Sequence, residues 1–277
     1  MHANWFGSPD NLFVRFGLWL TDAHALAGIP ETTPDHHIAP FSLTEDFVTV
    51  YRMHPLIPDD YRFYCHEDGS LTQTCGFMDV QGEKTDEVMR TLGLVNVLYS
   101  FGIAHPGAIT LHNYPNALMD IVVNDRIRIN LAVVDIMRER ARGIPRYNAF
   151  RKGLHMPPVK RWEDVTKNPD TVQLLKYIYK DIDKIDAVVG LLGETPPAGF
   201  GFSDTAFRIF ILMATRRLQS DRFFTVDYRP EIYSKLGMDW IEKNGMTSVI
   251  LRHCPELVCK LPRSGNAFAP WKPVAQR

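Results

Sequence analysis

The sequence lacks an excess of charge of either sign. It contains 31 Lys and Arg residues against 32 Asp and Glu residues, which gives a formal net charge of −1. A protein that binds nucleic acid without regard to base sequence relies on basic side chains that neutralise phosphates. The balanced composition therefore argues against a nucleic-acid-binding function.

The sequence also lacks a long uninterrupted apolar run. The most apolar stretch near the N-terminus, residues 11–30, contains Arg15, Asp22 and His24. It therefore falls short of the roughly 18 uncharged apolar residues that a transmembrane helix needs. No basic segment followed by a hydrophobic segment marks a secretory signal. We expect an intracellular, cytoplasmic protein with no transmembrane segment.

Cysteine is scarce, and its spacing is uninformative. The four cysteines form no Cys-x-x-Cys pair and no spacing typical of a zinc site: Cys65, Cys75, Cys254 and Cys259. This pattern excludes a disulfide-rich scaffold and a zinc finger. We expect reduced, structural thiols, as is usual inside cells.

The composition that is present is that of an ordinary globular protein, with 45% hydrophobic and 23% charged residues. Apolar residues recur at helical spacing, and no alternating stretch is long enough for a sheet-based core, so the predicted class is mainly α. Residues 56–83 are predicted as loop or short strands. Helices are predicted over residues 85–101, 124–142 and 165–179, and beyond a cap at Ser203 or Asp204.

A further helix is predicted to begin at Ser42, which forms a capping box with Glu45, and to run through His54. Its aromatic and apolar residues recur at the spacing of one helical face: Phe47, Val50, Tyr51 and His54. Pro55 and Pro58 close the helix because proline cannot donate to the preceding turn.

Tyr51 and His54 stand out among the ten tyrosines and ten histidines because the predicted helix turns both side chains the same way. A histidine can hold a metal through one nitrogen when an acceptor orients the other nitrogen. A tyrosine one turn away can then exchange an electron and a proton with a bound oxidant. The alternative is a chance pair on an amphipathic helix.

Three collinear blocks carry a resemblance to a known family: residues 45–58 (EDFVTVYRMHPLIP), residues 135–148 (DIMRERARGIPRYN) with 150–152 (FRK), and residues 210–225 (FILMATRRLQSDRFFT). The first resembles the proximal helix of the peroxidase–cyclooxygenase, or animal haem peroxidase, superfamily. The second resembles the stretch that packs beside the haem, and the third resembles the fatty-acid α-dioxygenases in particular. Residues 162–164 and 233–240 extend the likeness. The chain is identified as a member of this superfamily, closest to the α-dioxygenases, with a haem-peroxidase-like helical fold.

The resemblance implies a haem b cofactor, with His54 as the proximal ligand of the iron. Tyr51 is implied to be the residue that is oxidised to a radical and removes a hydrogen atom from a fatty acid, so that O₂ adds to the carbon radical. Asp135 is implied to accept from the other nitrogen of His54, which raises the basicity of the ligand. The alternative for Asp135 is an ion pair with Arg138 or with an arginine elsewhere.

Four arginines also receive roles from the resemblance. Arg138 and Arg140 are expected to contact the haem propionates, which suits a guanidinium fork; their alternative is a solvated basic face within a charge run. Arg217 is expected to anchor the substrate carboxylate, with Arg216 as the competing register. The apolar run at residues 207–213 lines an acyl channel or is an ordinary core helix.

The family's distal histidine lies far upstream of the tyrosine, whereas only 50 residues precede Tyr51 here. We therefore expect residues 1–277 to be the C-terminal, proximal portion of a haem peroxidase or dioxygenase domain, with a core at about 42–226 and an extension at 227–277. Alone, this portion should bind haem weakly and show little or no oxygenase activity. The missing half, or a partner, should cover the exposed haem face.

The predicted function is that of a haem-dependent oxidoreductase, a dioxygenase that acts on a fatty acid and O₂. A haem peroxidase of the same superfamily is one alternative. A non-catalytic remnant that acts as a binding module is the other. Calcium, which some relatives bind in their distal half, is not supported by this portion.

Overall fold

Helices predominate in the computed structural model, which describes residues 33–36, 43–123 and 126–274, and the predicted mainly α class is confirmed. The α-helices are α1 (Glu45–Val50), α2 (Glu83–Leu92), α3 (Leu94–Ile103), α4 (Asn116–Met119), α5 (Leu131–Ala141), α6 (Tyr147–Gly153), α7 (Pro169–Tyr179), α8 (Ala187–Gly193), α9 (Asp204–Ser220), α10 (Pro230–Lys243) and α11 (Met246–His253). Single 3₁₀ turns cover His54–Leu56, Phe77–Val80, Trp162–Asp164, Ile182–Lys184, Arg222–Phe224 and Pro255–Cys259. Within the described ranges, each helix is too short or too polar to cross a lipid bilayer.

Two short antiparallel hairpins supply the strands of the described residues. Strands β1 (Asp60–Tyr64) and β2 (Leu71–Gly76) pair across a turn in which Gly69 adopts a φ of +75°. Strands β3 (Ile121–Val123) and β4 (Ile127–Ile129) form the second hairpin. Its isoleucines and valines favour extended backbone, so this hairpin occupies the start of the helix predicted over 124–142.

Side-chain caps determine where several helices begin. Helix α5 begins only at Leu131, because the Asn130 side chain accepts from the Val133 amide at 3.2 Å. The predicted helix over 165–179 begins at Pro169 instead. As predicted, Ser203 caps α9 by accepting from the Ala206 amide at 3.2 Å.

Glycine explains why the helix predicted over 85–101 is two helices. Gly93 adopts a φ of +76° between α2 and α3. This backbone conformation is accessible to glycine but lies outside the right-handed helical region, so the helix cannot continue through it.

The described residues form two compact units. Unit I contains residues 57–107 and 229–274, and unit II contains residues 33–36, 43–56, 108–123 and 126–228. In unit I the C-terminal residues pack on α3, where the Trp271 amide donates to the Gly102 carbonyl at 3.0 Å and Trp271 shares a core with Tyr99 and Leu257. The segment expected to be an extension at 227–277 is therefore largely part of a unit with residues 57–107. This division differs from the expected core at 42–226.

Candidate functional site

Tyr51 and His54 do not lie on one helix, so this part of the sequence prediction is wrong. Helix α1 ends at Val50, Tyr51 leaves the helical region, and His54 begins a 3₁₀ turn. Pro55 explains the break: it has no N–H to offer the Tyr51 carbonyl four residues earlier, and its ring would clash with that carbonyl in a helix. The predicted cap Ser42 lies outside the described residues, and Thr44 caps α1 by accepting from the Phe47 amide.

Aromatic rings surround the side chain of Tyr51. Its ring stacks on Phe47 with centroids 5.3 Å apart and an interplanar angle of 16°. It also stacks on Phe210 of α9, at 5.8 Å and 14°. The Tyr51 residue is nevertheless 39% exposed. The contacts therefore orient the ring while leaving part of it accessible to another molecule.

His54 faces a buried acid on a neighbouring helix. Its Nδ1 atom is buried, has no hydrogen-bond partner in the described residues, and lies 3.9 Å from Oδ2 of Asp135. The other oxygen of Asp135 receives Arg52 Nη1 at 3.0 Å. Tyr114 donates its hydroxyl to Oδ2 at 3.3 Å and places its ring 5.4 Å from the His54 ring. The alternative pairing of Asp135 with an arginine elsewhere therefore occurs, with Arg52 as the arginine. Asp135 also lies close to Nδ1 of His54, but at 3.9 Å the two form no hydrogen bond, so the predicted acceptor role of Asp135 stays a prediction.

Burial of His54 favours a neutral imidazole. Burial lowers the pKa of His54, and the positive charge of Arg52 lowers it further, whereas the carboxylate of Asp135 raises it by less than these effects combined. A neutral imidazole can coordinate a metal through a nitrogen lone pair, which a protonated ring cannot.

Arg138 and Arg140 point to carboxylates of the chain itself. Arg138 makes a bidentate pair with Glu45, at 2.9 and 2.8 Å, and this pair is partly exposed. Arg140 makes a bidentate pair with the buried Asp186, at 2.9 and 2.7 Å, and Arg146 and Tyr179 also donate to that acid. If Arg140 turned towards a haem propionate, the buried carboxylate of Asp186 would lose one of its hydrogen-bond donors. This arrangement does not support a propionate role for Arg140, whereas Arg138 remains a prediction.

Helix α9 distinguishes between the two candidate substrate anchors. Seven residues separate Phe210 from Arg217, so at 100° per residue Arg217 lies within about 20° of the side that carries Phe210. Arg216 lies about 120° away from that side. Arg217 is half-buried and Arg216 is exposed. Of the two, Arg217 lies on the helix side that faces Tyr51.

Glu139 is a buried acid one turn beyond Asp135 on α5. It is 3% exposed, its Oε2 accepts from the Val188 amide at 3.0 Å, and its Oε1 has no hydrogen-bond partner in the described residues. Burial raises the pKa of Glu139, with only partial compensation from Val188. The sequence showed this residue only as a member of a charge run.

Replacing Glu139 with glutamine should stabilise the protein at neutral pH. The pKa of Glu139 is higher in the folded than in the unfolded state. The free energy of unfolding therefore decreases as the pH rises from the unfolded pKa to the folded pKa. Glu139→Gln should therefore raise the free energy of unfolding by about 1 kcal/mol at pH 7, with a smaller gain at pH 4. Urea denaturation across this pH range measures the difference. The exposed Glu163, whose pKa is lowered chiefly by hydrogen bonds, is the control, and Glu163→Gln should not stabilise at any pH. If Glu139→Gln does not raise the free energy of unfolding at pH 7, or raises it equally at every pH, the raised pKa of Glu139 is contradicted.

Sequence reasoning missed Arg52 and Tyr114. Arg52 lies between the two residues that the sequence singled out, yet in the predicted helix its side chain would point away from them. Tyr114 lies 60 residues after His54, in an Asn-Tyr-Pro stretch that matches no spacing rule. No sequence signal identifies it.

The residues around His54 fit a haem. An axial histidine needs an acceptor behind one nitrogen and an accessible face on the other side. Nδ1 is the buried nitrogen, so the exposed quarter of the imidazole lies away from it. On α5, the exposed apolar residues Val134 and Met137 flank the position of Asp135. The described residues contain no group of three or more His, Cys, Asp and Glu that could hold a metal ion, whereas iron in a porphyrin needs only one such axial side chain.

Comparisons of sequence place these observations in a family. Residues 21–265 match the family model for animal haem peroxidase. Alpha-dioxygenase 1 of Arabidopsis thaliana is 38% identical, over 98% of this chain and 45% of that protein. Alpha-dioxygenase PIOX of Oryza sativa subsp. japonica is 37% identical, over 98% of this chain and 46% of that protein. The chain thus spans less than half the length of these curated relatives.

Comparisons with solved structures agree with the sequence comparisons. A variant of the Oryza sativa fatty acid alpha-dioxygenase, solved with palmitic acid, superposes with a TM-score of 0.82 at 37% identity, covering 89% of this chain and 43% of that chain. Peroxidase A of Dictyostelium discoideum superposes with a TM-score of 0.66 at 21% identity, covering 94% of this chain and 48% of that chain, and so shows likeness of fold alone. The haem-peroxidase-like helical fold predicted from the sequence is confirmed. The chain belongs to the animal haem peroxidase family.

Proposed function

We propose that the protein is a haem-dependent fatty-acid dioxygenase and that this chain supplies the proximal side of its haem site. The observation that carries the proposal is His54, whose buried Nδ1 faces the Asp135 carboxylate while Tyr51 lies three residues away. The α-dioxygenase relatives support the fatty-acid substrate, and the family match supports haem.

His54 holds the iron and Asp135 holds His54. Nδ1 faces Oδ2 of Asp135 at 3.9 Å, so a small approach of the two side chains would let the Nδ1–H group donate to the carboxylate, which would fix the ring tautomer and strengthen the ligand. Arg52 pairs with the buried Asp135 at 3.0 Å and so compensates its charge. Tyr114, which donates to the same acid, adds a second contact that fixes the carboxylate.

Tyr51 carries the reaction with the substrate. Bound haem supplies the one-electron oxidation that this chemistry requires. Tyr51 would lose an electron to bound haem and release its phenolic proton to solvent through its exposed part, which leaves a neutral radical. The radical would then take a hydrogen atom from the fatty-acid carbon next to the carboxylate. O₂ adds to the carbon radical, and a hydrogen atom from Tyr51 converts the product to a hydroperoxide and regenerates the tyrosyl radical. Phe47 and Phe210 fix the ring plane during these steps.

Oxygen uptake tests the proposed function. The haem-loaded protein is given a long-chain saturated fatty acid, and O₂ consumption is measured together with the product. We expect one O₂ consumed for each hydroperoxide formed on the carbon beside the carboxylate. Oxidation of phenols by hydrogen peroxide without any O₂ uptake would identify a peroxidase instead.

Arg217 should determine the affinity for the fatty acid. Replacing Arg217 with leucine removes the charged partner of the substrate carboxylate, so KM should rise about tenfold to a hundredfold, as expected for the loss of a hydrogen bond to a charged group. Arg216→Leu, on the exposed side of the same helix, is the matched control and should leave KM nearly unchanged. Steady-state kinetics over a range of fatty-acid concentration makes the comparison. A larger increase in KM for Arg216→Leu than for Arg217→Leu would show that Arg216 binds the substrate carboxylate instead.

A further inference from the structure

Tyr114 lies against the residues that support His54, although its position in the sequence gives no reason to expect it there. The preceding residue, Asn113, ties this loop to the turn that carries His54. Its side-chain amide donates to the Pro55 carbonyl at 3.2 Å and to the Ala108 carbonyl at 2.8 Å. Asn113 thus links the loop that carries Tyr114 to the turn that carries His54.

Tyr114 combines two contacts that a redox-active phenol needs. Its ring lies 5.4 Å from the His54 ring, inclined at 36°, which is close enough for an electron to pass to the ligand of the iron. Its hydroxyl donates to Oδ2 of Asp135 at 3.3 Å, so a proton acceptor is already in place. The electron and the proton can thus leave by different routes.

Arg52 does not prevent Asp135 from accepting the proton. Arg52 pairs with Oδ1 of Asp135 at 3.0 Å, whereas Oδ2 is the oxygen that receives the Tyr114 hydroxyl. Removal of an electron makes a phenol far more acidic, so the phenol can release its proton to this oxygen at that moment. The hydrogen bond also needs no rearrangement, because the acceptor is already bonded to the phenol.

We propose that Tyr114 is a second redox-active tyrosine of this site, which competes with Tyr51 for the oxidising equivalent. This proposal rests on the proposed haem-dependent function. Bound haem, oxidised by a hydroperoxide that is reduced to an alcohol and water, would supply the oxidising equivalent. Tyr114 would give up one electron by way of His54, its O–H bond would break, and the proton would bind Oδ2 of Asp135. The electron would reduce the oxidised haem by one equivalent and leave a neutral radical on Tyr114.

Tyr114 and Tyr51 differ in the groups that surround their side chains. Tyr51 packs against Phe47 and Phe210 and is accessible to another molecule. Tyr114 is half-buried against an imidazole and a carboxylate. We infer that the radical on Tyr114 does not react with the fatty acid and instead stores the oxidising equivalent, which a small reductant can then remove.

Electron paramagnetic resonance tests the proposal without relying on turnover. The haem-loaded protein is frozen within milliseconds to seconds of adding an alkyl hydroperoxide, and the tyrosyl signal is compared among variants. Tyr51→Phe should retain a tyrosyl radical, and Tyr51→Phe/Tyr114→Phe should lose most of it. Phenylalanine keeps the ring beside His54 and removes only the O–H group. Tyr51→Phe/Tyr177→Phe is the control, because Tyr177 is 80% exposed, and its signal should equal that of Tyr51→Phe.

The outcomes separate this proposal from the proposed function. If Tyr51→Phe binds haem normally yet forms no tyrosyl radical, or if the Tyr114 and Tyr177 double variants give equal signals, the role of Tyr114 is overturned while the dioxygenase proposal stands. If the wild-type protein forms no haem-dependent radical at all, both proposals are overturned. Loss of the residual signal only when Tyr114 is replaced supports the assignment.

Discussion

Replacing Tyr51 with phenylalanine should abolish fatty-acid oxygenation by the whole protein and spare its oxidation of a small phenol. The hydrogen atom of the fatty acid must pass to the Tyr51 oxygen, and phenylalanine has no oxygen to receive it. A small phenol can deliver an electron without Tyr51, so its rate should stay within about twofold of the wild-type rate. O₂ uptake and phenol oxidation, measured on the same preparation, give the two rates.

The structure makes this comparison a sharp one. Phenylalanine can keep both ring stacks, with Phe47 and Phe210, so the substitution removes the hydroxyl and little else. Tyr177→Phe removes a hydroxyl from the exposed face of α7 and should change neither rate. Unchanged oxygenation in Tyr51→Phe would remove the radical assignment. Equal loss of both rates would indicate damage to the haem site.

Replacing Gly190 with alanine should strongly destabilise the fold. A Cβ atom at Gly190 of α8 would lie 2.2 Å from Cγ of Tyr147, far inside van der Waals contact. The Tyr147 ring cannot easily move, because it is fully buried and its hydroxyl donates to Glu194 at 2.7 Å. We expect a loss of about 3 kcal/mol or more, at the upper end of the cost of overpacking.

Gly153→Ala is the matched control, since it adds the same methyl group to α6, the helix that carries Tyr147. No atom lies within 4 Å of that methyl position. Thermal unfolding should show a large decrease in Tm for Gly190→Ala and a change of only a few degrees for Gly153→Ala. Similar Tm values for the two variants would show that α8 and Tyr147 are not packed as described.

Local chemistry made much of the helical framework predictable from the sequence. Ser203 has a side chain that caps a helix and begins α9, as predicted. Helix α5 ends at Ala141, one residue before the predicted end at 142, and Gly143 follows with a φ of +71°, which no continuing helix adopts. The helix predicted to run through His54 ends earlier than its apolar spacing suggests. Pro55 disrupts the turn before it, so the helix ends at Val50.

The candidate site was predictable only where a resemblance supplied it. Asp135 was expected behind His54, and the structure brings the two together at 3.9 Å. Tyr114 and Arg52 meet at the same acid through long-range packing, which no spacing within the chain encodes. Arg140 shows the converse, because the resemblance implied a contact with a haem propionate whereas the structure pairs Arg140 with Asp186, 46 residues further along the chain.

Optical titration with haem, compared between the wild-type chain and His54→Ala, tests the central claim most directly. The claim is that His54 is the protein ligand of the iron, held in place by Asp135. Whatever the absolute affinity of the wild type, we predict a shifted Soret band that His54→Ala does not reproduce, and at least about tenfold weaker binding by the variant. The same spectrum and the same affinity for both proteins would contradict this account of the site.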